Sequence, residues 1–393
     1  MKRTLPSILL LLLSIFLTAC TYQREMRFDN NLTRENWMCE VETDTTPWTR
    51  GADAWFLTGD AHELEMSAVP PTIMKINAPQ FSNIKINGDF EVQIFGTSGK
   101  NTVYAYGPSK LVDGLLMTVK GDTLYVSQRP KWAGMNHVII RIGINRLNNL
   151  VHMGRGKVEG IRLRGDSVSV ISFGSGNVYL AGYMNVRLIR NGGRGCVNVF
   201  GAISPSLDIV TSGTGSTNVS GNIGVRIIRH WGANNINVIG ANSDHLNIDA
   251  RGSGKIGISG IVNLCEVKAR GNTRVFVSKT SSGDLHAYAY DNARIGLLGV
   301  ARNFYLDACN NSCVSARALC ADTVYVRVYQ RAHANVAAWK TIFASSSGSS
   351  SIYYFGPSND ILTQFVSDHG LIIPVGNCSG YCQAPRRELV GAG

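Results

Sequence analysis

Charge is scarce in this sequence. Asp, Glu, Lys and Arg make up 17% of 393 residues, against about 25% in an ordinary soluble domain. Clear helical spacing of apolar residues is missing from every stretch. Together these absences exclude a helical enzyme. No Ser-His-Asp constellation and no P-loop signature occurs, and the consensus of the leucine-rich repeats, with its Asn, is absent as well. What the chain has instead is glycine, 42 residues of it, well above the usual share of about 7%. High glycine with low charge fits many short strands joined by tight turns.

The glycines recur. The pattern Gly-x-Gly-x-Val appears as Gly154 to Val158, Gly174 to Val178 and Gly193 to Val197, and continues through Gly252 to Ile256. Looser copies run on to Ile352. The anchor residue falls at positions 158, 178, 197, 217, 236, 256, 275, 295 and 314, in steps of 20 and 19. It is apolar in all of these but Thr217. A fixed period of this size marks a solenoid, and alternation of apolar and polar residues around each anchor marks strands. The expected fold is therefore all-β, a parallel β-solenoid (β-helix) of 19–20-residue coils with capped ends. Eleven anchors from Val158 to Ile352 would span roughly 50 Å at the strand spacing of a sheet. The glycines belong at corners, where the chain needs φ > 0 or where stacked backbones come close. A second inward pair is expected in each coil, as in Leu207/Ile209, Leu246/Ile248, Cys265/Val267 and Phe304/Leu306. Asn198, Asn218 and Asn237 should form an amide ladder on the outside.

The first twenty residues have a different character. Lys2 and Arg3 precede an apolar run over 7–17 and then Leu17-Thr18-Ala19-Cys20. This is the layout of a secretory signal, and the run is short of the about 20 residues of a membrane-spanning helix. The tetrapeptide resembles the bacterial lipobox. The resemblance implies that residues 1–19 are removed and that the Cys20 thiol carries the lipid, so the membrane is the first expected partner. Thr21 in place of Asp after that cysteine implies outer-membrane sorting. The remaining segments read as an acidic tether over 20–71, a cap with irregular coils over 72–150, regular coils over 151–356, and a C-terminal cap and tail over 357–393. Cys378 and Cys382, flanking Gly380, are the expected disulfide pair. A CxxxC could also hold metal, but no second ligand pair stands nearby.

Phe81 to Ile94, with apolar residues at 84, 86, 90, 92 and 94, is followed by Gly121-Asp-Thr-Leu-Tyr-Val126 and then by the glycine repeats. This succession resembles the bacterial head GIN domain, an autotransporter-adhesin type of domain in exported proteins, over residues 72–356. The resemblance implies the fold and an exported location. It supplies no catalytic residues.

Charge then suggests a partner. The formal charge is +11, or +9 without Lys2 and Arg3. Residues 21–71 hold four arginines against ten acids, net −6, so 72–393 carry +15. Arg155, Lys157, Arg194, Lys255, Arg274 and Arg294 share the two outward positions beside the second repeat glycine. They should form stacked rows along one side, interrupted by Asn177, Ser216 and Asn235. Such rows suit an anionic polysaccharide or an acidic envelope protein, and equally suit plain solubility. Nucleic acid is not an expected partner.

The expected function is an outer-membrane-anchored structural or adhesive scaffold. The alternatives are a subunit of an envelope secretion complex and a carbohydrate-active β-helix enzyme. For the enzyme, the outward column Asp208, Ile227, Asn247, Glu266, His286, Tyr305 offers only a Glu266–His286 neighbour pair and no pair of carboxylates. Calcium is not expected, because Val197 stands where the calcium-binding nonapeptide has Asp. His152 and His230 lie four coils apart, about 20 Å, too far to share a metal. No cofactor, metal site or catalytic residue is expected.

Overall fold

The computed structural model describes residues 72–76, 78–129, 135–356 and 361–376. They form a parallel β-solenoid of about eleven turns. The ten long strands run from β9 (Val158–Ser172) to β18 (His333–Gly348). Each is one whole coil wrapped around the axis, bent where the register shifts.

The anchor column runs in register from Val92 through Val158, Val178, Val197, Thr217, Ile236, Ile256, Val275, Ile295, Val314 and Ala334 to Ile352. All twelve residues are buried. The column is aliphatic because each inward side chain meets its equivalents one coil above and below. Each coil has three sides. The first spans from one residue before the anchor to three after it. The third carries the second inward pair, such as Leu207 with Ile209 and Leu246 with Ile248.

Glycine serves the corner before the anchor in two ways. In the early coils the reason is space. A Cβ on Gly174 would lie 2.1 Å from Gly154 O, and one on Gly193 would lie 2.0 Å from Gly174 O. These residues have no positive φ. From Gly232 onward the same position turns left-handed, at Gly252 (φ 118°) and Gly271 (φ 75°), then Asp291, Asn310 and Gln330 (φ 63–65°). The weaker later repeats are thus a second corner type, one that Asp, Asn and here Gln adopt in place of glycine.

The inner column beside this corner changes at the same place. It reads His152, Ser172, Asn191, Thr211, His230 in the early coils and Ala250, Ala269, Ala289, Ala308 in the later ones. The polar members are fully buried. Asn191 Nδ2 donates to Gly195 O and Ser216 O, both at 3.1 Å, and Gly193 N donates to Asn191 Oδ1 at 3.2 Å. Thr211 Oγ1 and His230 Nδ1 are 2.8 Å apart. These side chains bond corner backbone groups that the strand ladder leaves over.

The N-terminal end departs from the repeat. β1 (Thr72–Ile76) runs antiparallel to β4 (Thr102–Gly107), which runs antiparallel to β7 (Ile139–Ile144). β5 (Leu115–Lys120) and β6 (Thr123–Gln128) form a hairpin, and α1 (Ser109–Val112) precedes it. The unit β2 (Asn83–Asn87) with β3 (Glu91–Gly96) sits between β6 and β7 on one side and β8 (Asn149–His152) and β9 on the other. Stack order here is therefore not chain order. At the far end the stack passes 356. β19 (Ser351–Phe355) and β20 (Ile361–Ser367) pair with β18, and β21 (Leu371–Gly376) pairs with β19.

Candidate binding surface

The six basic residues occupy the two expected columns, and the structure sets three of them in direct succession. Lys255 pairs with Arg274, and Arg274 with Arg294, in adjacent coils. All three are partly exposed. Arg155, Lys157 and Arg194 are exposed in the early coils. Lys157 forms an ion pair with Glu159 and lies 5.6 Å from the Tyr179 ring centroid, so its charge is matched locally. From Asn177 to Phe355 the first side carries no Asp or Glu in any coil. Arg317 adds a fourth cation to that side. The acids Asp208, Asp249, Glu266 and Asp307 all lie on the third side, ion-paired with Arg226, Arg251, Lys268 and Arg327 respectively. From Asn177 on, the first side thus holds cations without carboxylates, whereas the third side holds both signs in ion pairs.

The Asn198, Asn218, Asn237 ladder forms on the first side, but Asn198 and Asn218 are buried and only Asn237 is partly exposed. Asn218 Nδ2 donates to Asn198 Oδ1 at 2.7 Å, and Asn237 Nδ2 donates to Asn218 Oδ1 at 2.9 Å.

The third side holds an array that sequence reading stopped short of. The column of Glu266, His286 and Tyr305 continues through Tyr325 and Phe343. His286, Tyr305, Tyr325 and Phe343 stack with centroids 4.6, 4.8 and 4.7 Å apart and planes within 7° of parallel. The signal was present: steps of 20 and then 18 residues from Tyr305 reach Tyr325 and Phe343. Beside this stack Tyr288, Asp307, Arg327, Ser345 and Phe365 form the second wall of a groove of about 470 Å³. Glu266 and His286 are neighbours as expected, but they do not make an acid–base pair. Glu266 Oε2 bonds Lys268 Nζ at 2.7 Å, and His286 lies flat on Tyr305.

Bulges correct the inward pair in two coils. Leu264, not Cys265, pairs with Leu246 and is buried, and the register shift that follows turns both Cys265 and Glu266 outward. A similar shift between Leu207 and Asp208 leaves Arg226 and Ile227 both facing out, and Arg226 bonds Asp208. Buried His152 and His230 sit in the inner polar column, each with an Nε2 that has no partner. Burial holds both imidazoles below their ordinary range.

Cys313 and Cys320 each take part in a disulfide, while Cys196, Cys265 and Cys309 are free thiols. Cys20, Cys378 and Cys382 lie outside the described residues. Among the described residues no group of three or more His, Cys, Asp or Glu is arranged to hold a metal ion, and no helix is long and apolar enough to cross a membrane.

Residues 80–261 and 261–357 match the family described as "Putative auto-transporter adhesin, head GIN domain". No curated protein matches the chain. Solved structures similar to it include a "putative lipid binding protein" from Parabacteroides distasonis, at 13% identity over 79% of this chain and 96% of that one, with a TM-score of 0.24. Another is a "putative adhesin" from Bacteroides fragilis, at 16% identity over 78% and 98%, with a TM-score of 0.25. A third, from Parabacteroides merdae and of the same description, shows 14% identity over 78% and 97%, also with a TM-score of 0.25. The two matched segments together take in well over half of the sequence, coil by coil, and by them this chain belongs to the head GIN domain family.

Proposed function

We propose that the protein is a lipid-anchored outer-membrane scaffold whose solenoid adheres to an anionic polysaccharide through its first side. The observation that carries this is the succession Lys255, Arg274, Arg294 on a side with no carboxylate from Asn177 to Phe355. Coils repeat at about 4.8 Å. Cations at that pitch would meet the charges of an extended acidic polymer. The lipobox at Leu17–Cys20 supports the anchor.

The test is binding of the full chain to a uronic-acid polysaccharide, with a neutral dextran as control, across a salt series. Binding should be confined to the acidic polymer and should weaken steeply with salt, since exposed charges are screened over about 10 Å at 0.1 M. Changing Arg274→Ser and Arg294→Ser together should cost about 1 kcal/mol, roughly a fivefold loss of affinity, with the melting temperature unchanged. Salt-independent binding, or full binding by that variant, would overturn the proposal.

A further inference from the structure

The bulges of the third side bring together three side chains that the scaffold reading leaves without a role. β13 (Asn235–Gly252) and β14 (Lys255–Gly271) are adjacent coils. Cys265 Sγ lies 3.1 Å from His245 Nδ1, and Asn247 Nδ2 lies 3.0 Å from His245 Nε2. His245 is exposed, and Cys265 and Asn247 are partly so. Asn263 Nδ2 donates to Asp244 O at 2.9 Å, which ties the two bulges to each other. Thiol, imidazole and amide thus stand in the order of a nucleophile, its base and the group that orients the base. Bulges are a known means of re-aiming a side chain at a working site. Without the bulge Cys265 would point into the core, as sequence alternation alone suggests.

We infer that Cys265, with His245 and Asn247, is a nucleophilic thiol site that captures low-molecular-weight disulfides by thiol–disulfide exchange. His245 Nδ1 takes the proton of Cys265 Sγ–H. The thiolate attacks one sulfur of the incoming disulfide R–S–S–R. A Cys265–S–S–R bond forms, the original S–S bond breaks, and the departing RS⁻ takes the proton back from His245. Cys265 is oxidised to a mixed disulfide, one RSH is released, and no further oxidant is needed.

A half-turn of the partly exposed Asn247 amide brings Oδ1 to the place of Nδ2, where it accepts from His245 Nε2–H, and that tautomer leaves the Nδ1 lone pair to face the thiol. Burial pushes the Cys265 thiol up. It therefore rests protonated, and the proton acceptor at 3.1 Å is what makes it reactive. The free thiols Cys196 and Cys309 supply internal comparisons. Cys196 is partly exposed and Cys309 is buried.

The experiment is incubation of the full chain with glutathione disulfide at neutral pH, followed by peptide mass analysis of each cysteine over time. Cys265 should form the mixed disulfide at least about tenfold faster than Cys196. His245→Ala should bring Cys265 down to the rate of Cys196 and leave Cys196 unchanged. Asn247→Leu should slow Cys265, whereas Asn247→Asp, which can only accept from Nε2–H, should restore it. Should His245→Ala expose buried Cys309, marking a loss of fold, His245→Gln replaces it and is read in the same way. Equal rates at Cys265 and Cys196, or a Cys265 rate indifferent to His245, would overturn the inference.

Discussion

Val178 and Gly193 show how little freedom a stacked coil leaves to one residue. Val178 is fully buried between Val158 and Val197. Val178→Asp would put an unpaired charge there and should destabilise by more than about 3 kcal/mol; an unchanged urea midpoint would contradict that. Gly193→Ala needs no left-handed backbone, yet its Cβ would come within 2.0 Å of Gly174 O. Coils must spread to admit it, at a cost of about 1–3 kcal/mol. The buried histidines respond to pH instead. Burial lowers the pKa of His152, His230 and His333 in the folded chain, whereas unfolded histidine titrates near 6.5. The unfolded state therefore binds protons first as pH falls. Stability is complete above about pH 6.5 and is lost below it, as pH falls toward the lower folded values. The urea midpoint should drop between pH 7.5 and pH 5. His230→Asn, which copies the polar Asn191 of the same column, should remove part of that drop. Equal midpoints at the two pH values would mean that the interior accepts the charge.

At the scale of the strand, alternation is legible in sequence and bulges are not. The anchor column is legible from 158 to 314, where an apolar residue, Thr217 excepted, recurs every 19 or 20 positions; beyond it the pattern Ala332 to Val336 points to Val336, whereas the register puts Ala334 between Val314 and Ile352. Cys265 was misplaced because Leu264 beside it is also apolar, so alternation cannot say which of them turns inward; only the register against Leu246 decides. The aromatic stack depended on extending one column past Tyr305, and it makes its own prediction. Tyr305 lies between His286 and Tyr325 with parallel rings on both sides. Tyr305→Ser removes two such contacts, each worth about 0.5–1.5 kcal/mol beyond buried area. The loss should reach about 1–3 kcal/mol, and Phe343→Ser, which removes one stacked neighbour, should lose about half as much. Equal losses for the two variants would indicate that the rings contribute only as separate surface residues.

At the scale of the molecule, a solenoid is held by neighbour contacts and is weakest where the neighbours stop. The regular coils announce themselves in sequence, but their N-terminal end does not, because it has no period: β2 and β3 enter the stack between strands that come later in the chain. Antiparallel β1, β4 and β5 close that end, which protects parallel edges that would otherwise pair with another chain. The polarity of the whole follows from this. The capped end is the one at β1 and β4, and the acid-free side runs away from it along the coils. The anchor proposed above at Cys20 lies in a part of the chain that the coils do not need for folding or for binding. Cys20→Ser should then release the protein from outer-membrane fractions while leaving its urea midpoint and its binding to acidic polysaccharide unchanged. Because the basic side could itself hold the protein to anionic headgroups, fractionation must be read at high salt, where that attraction is screened. A Cys20→Ser chain still sedimenting with outer membranes under those conditions would show that another part of the molecule is the anchor.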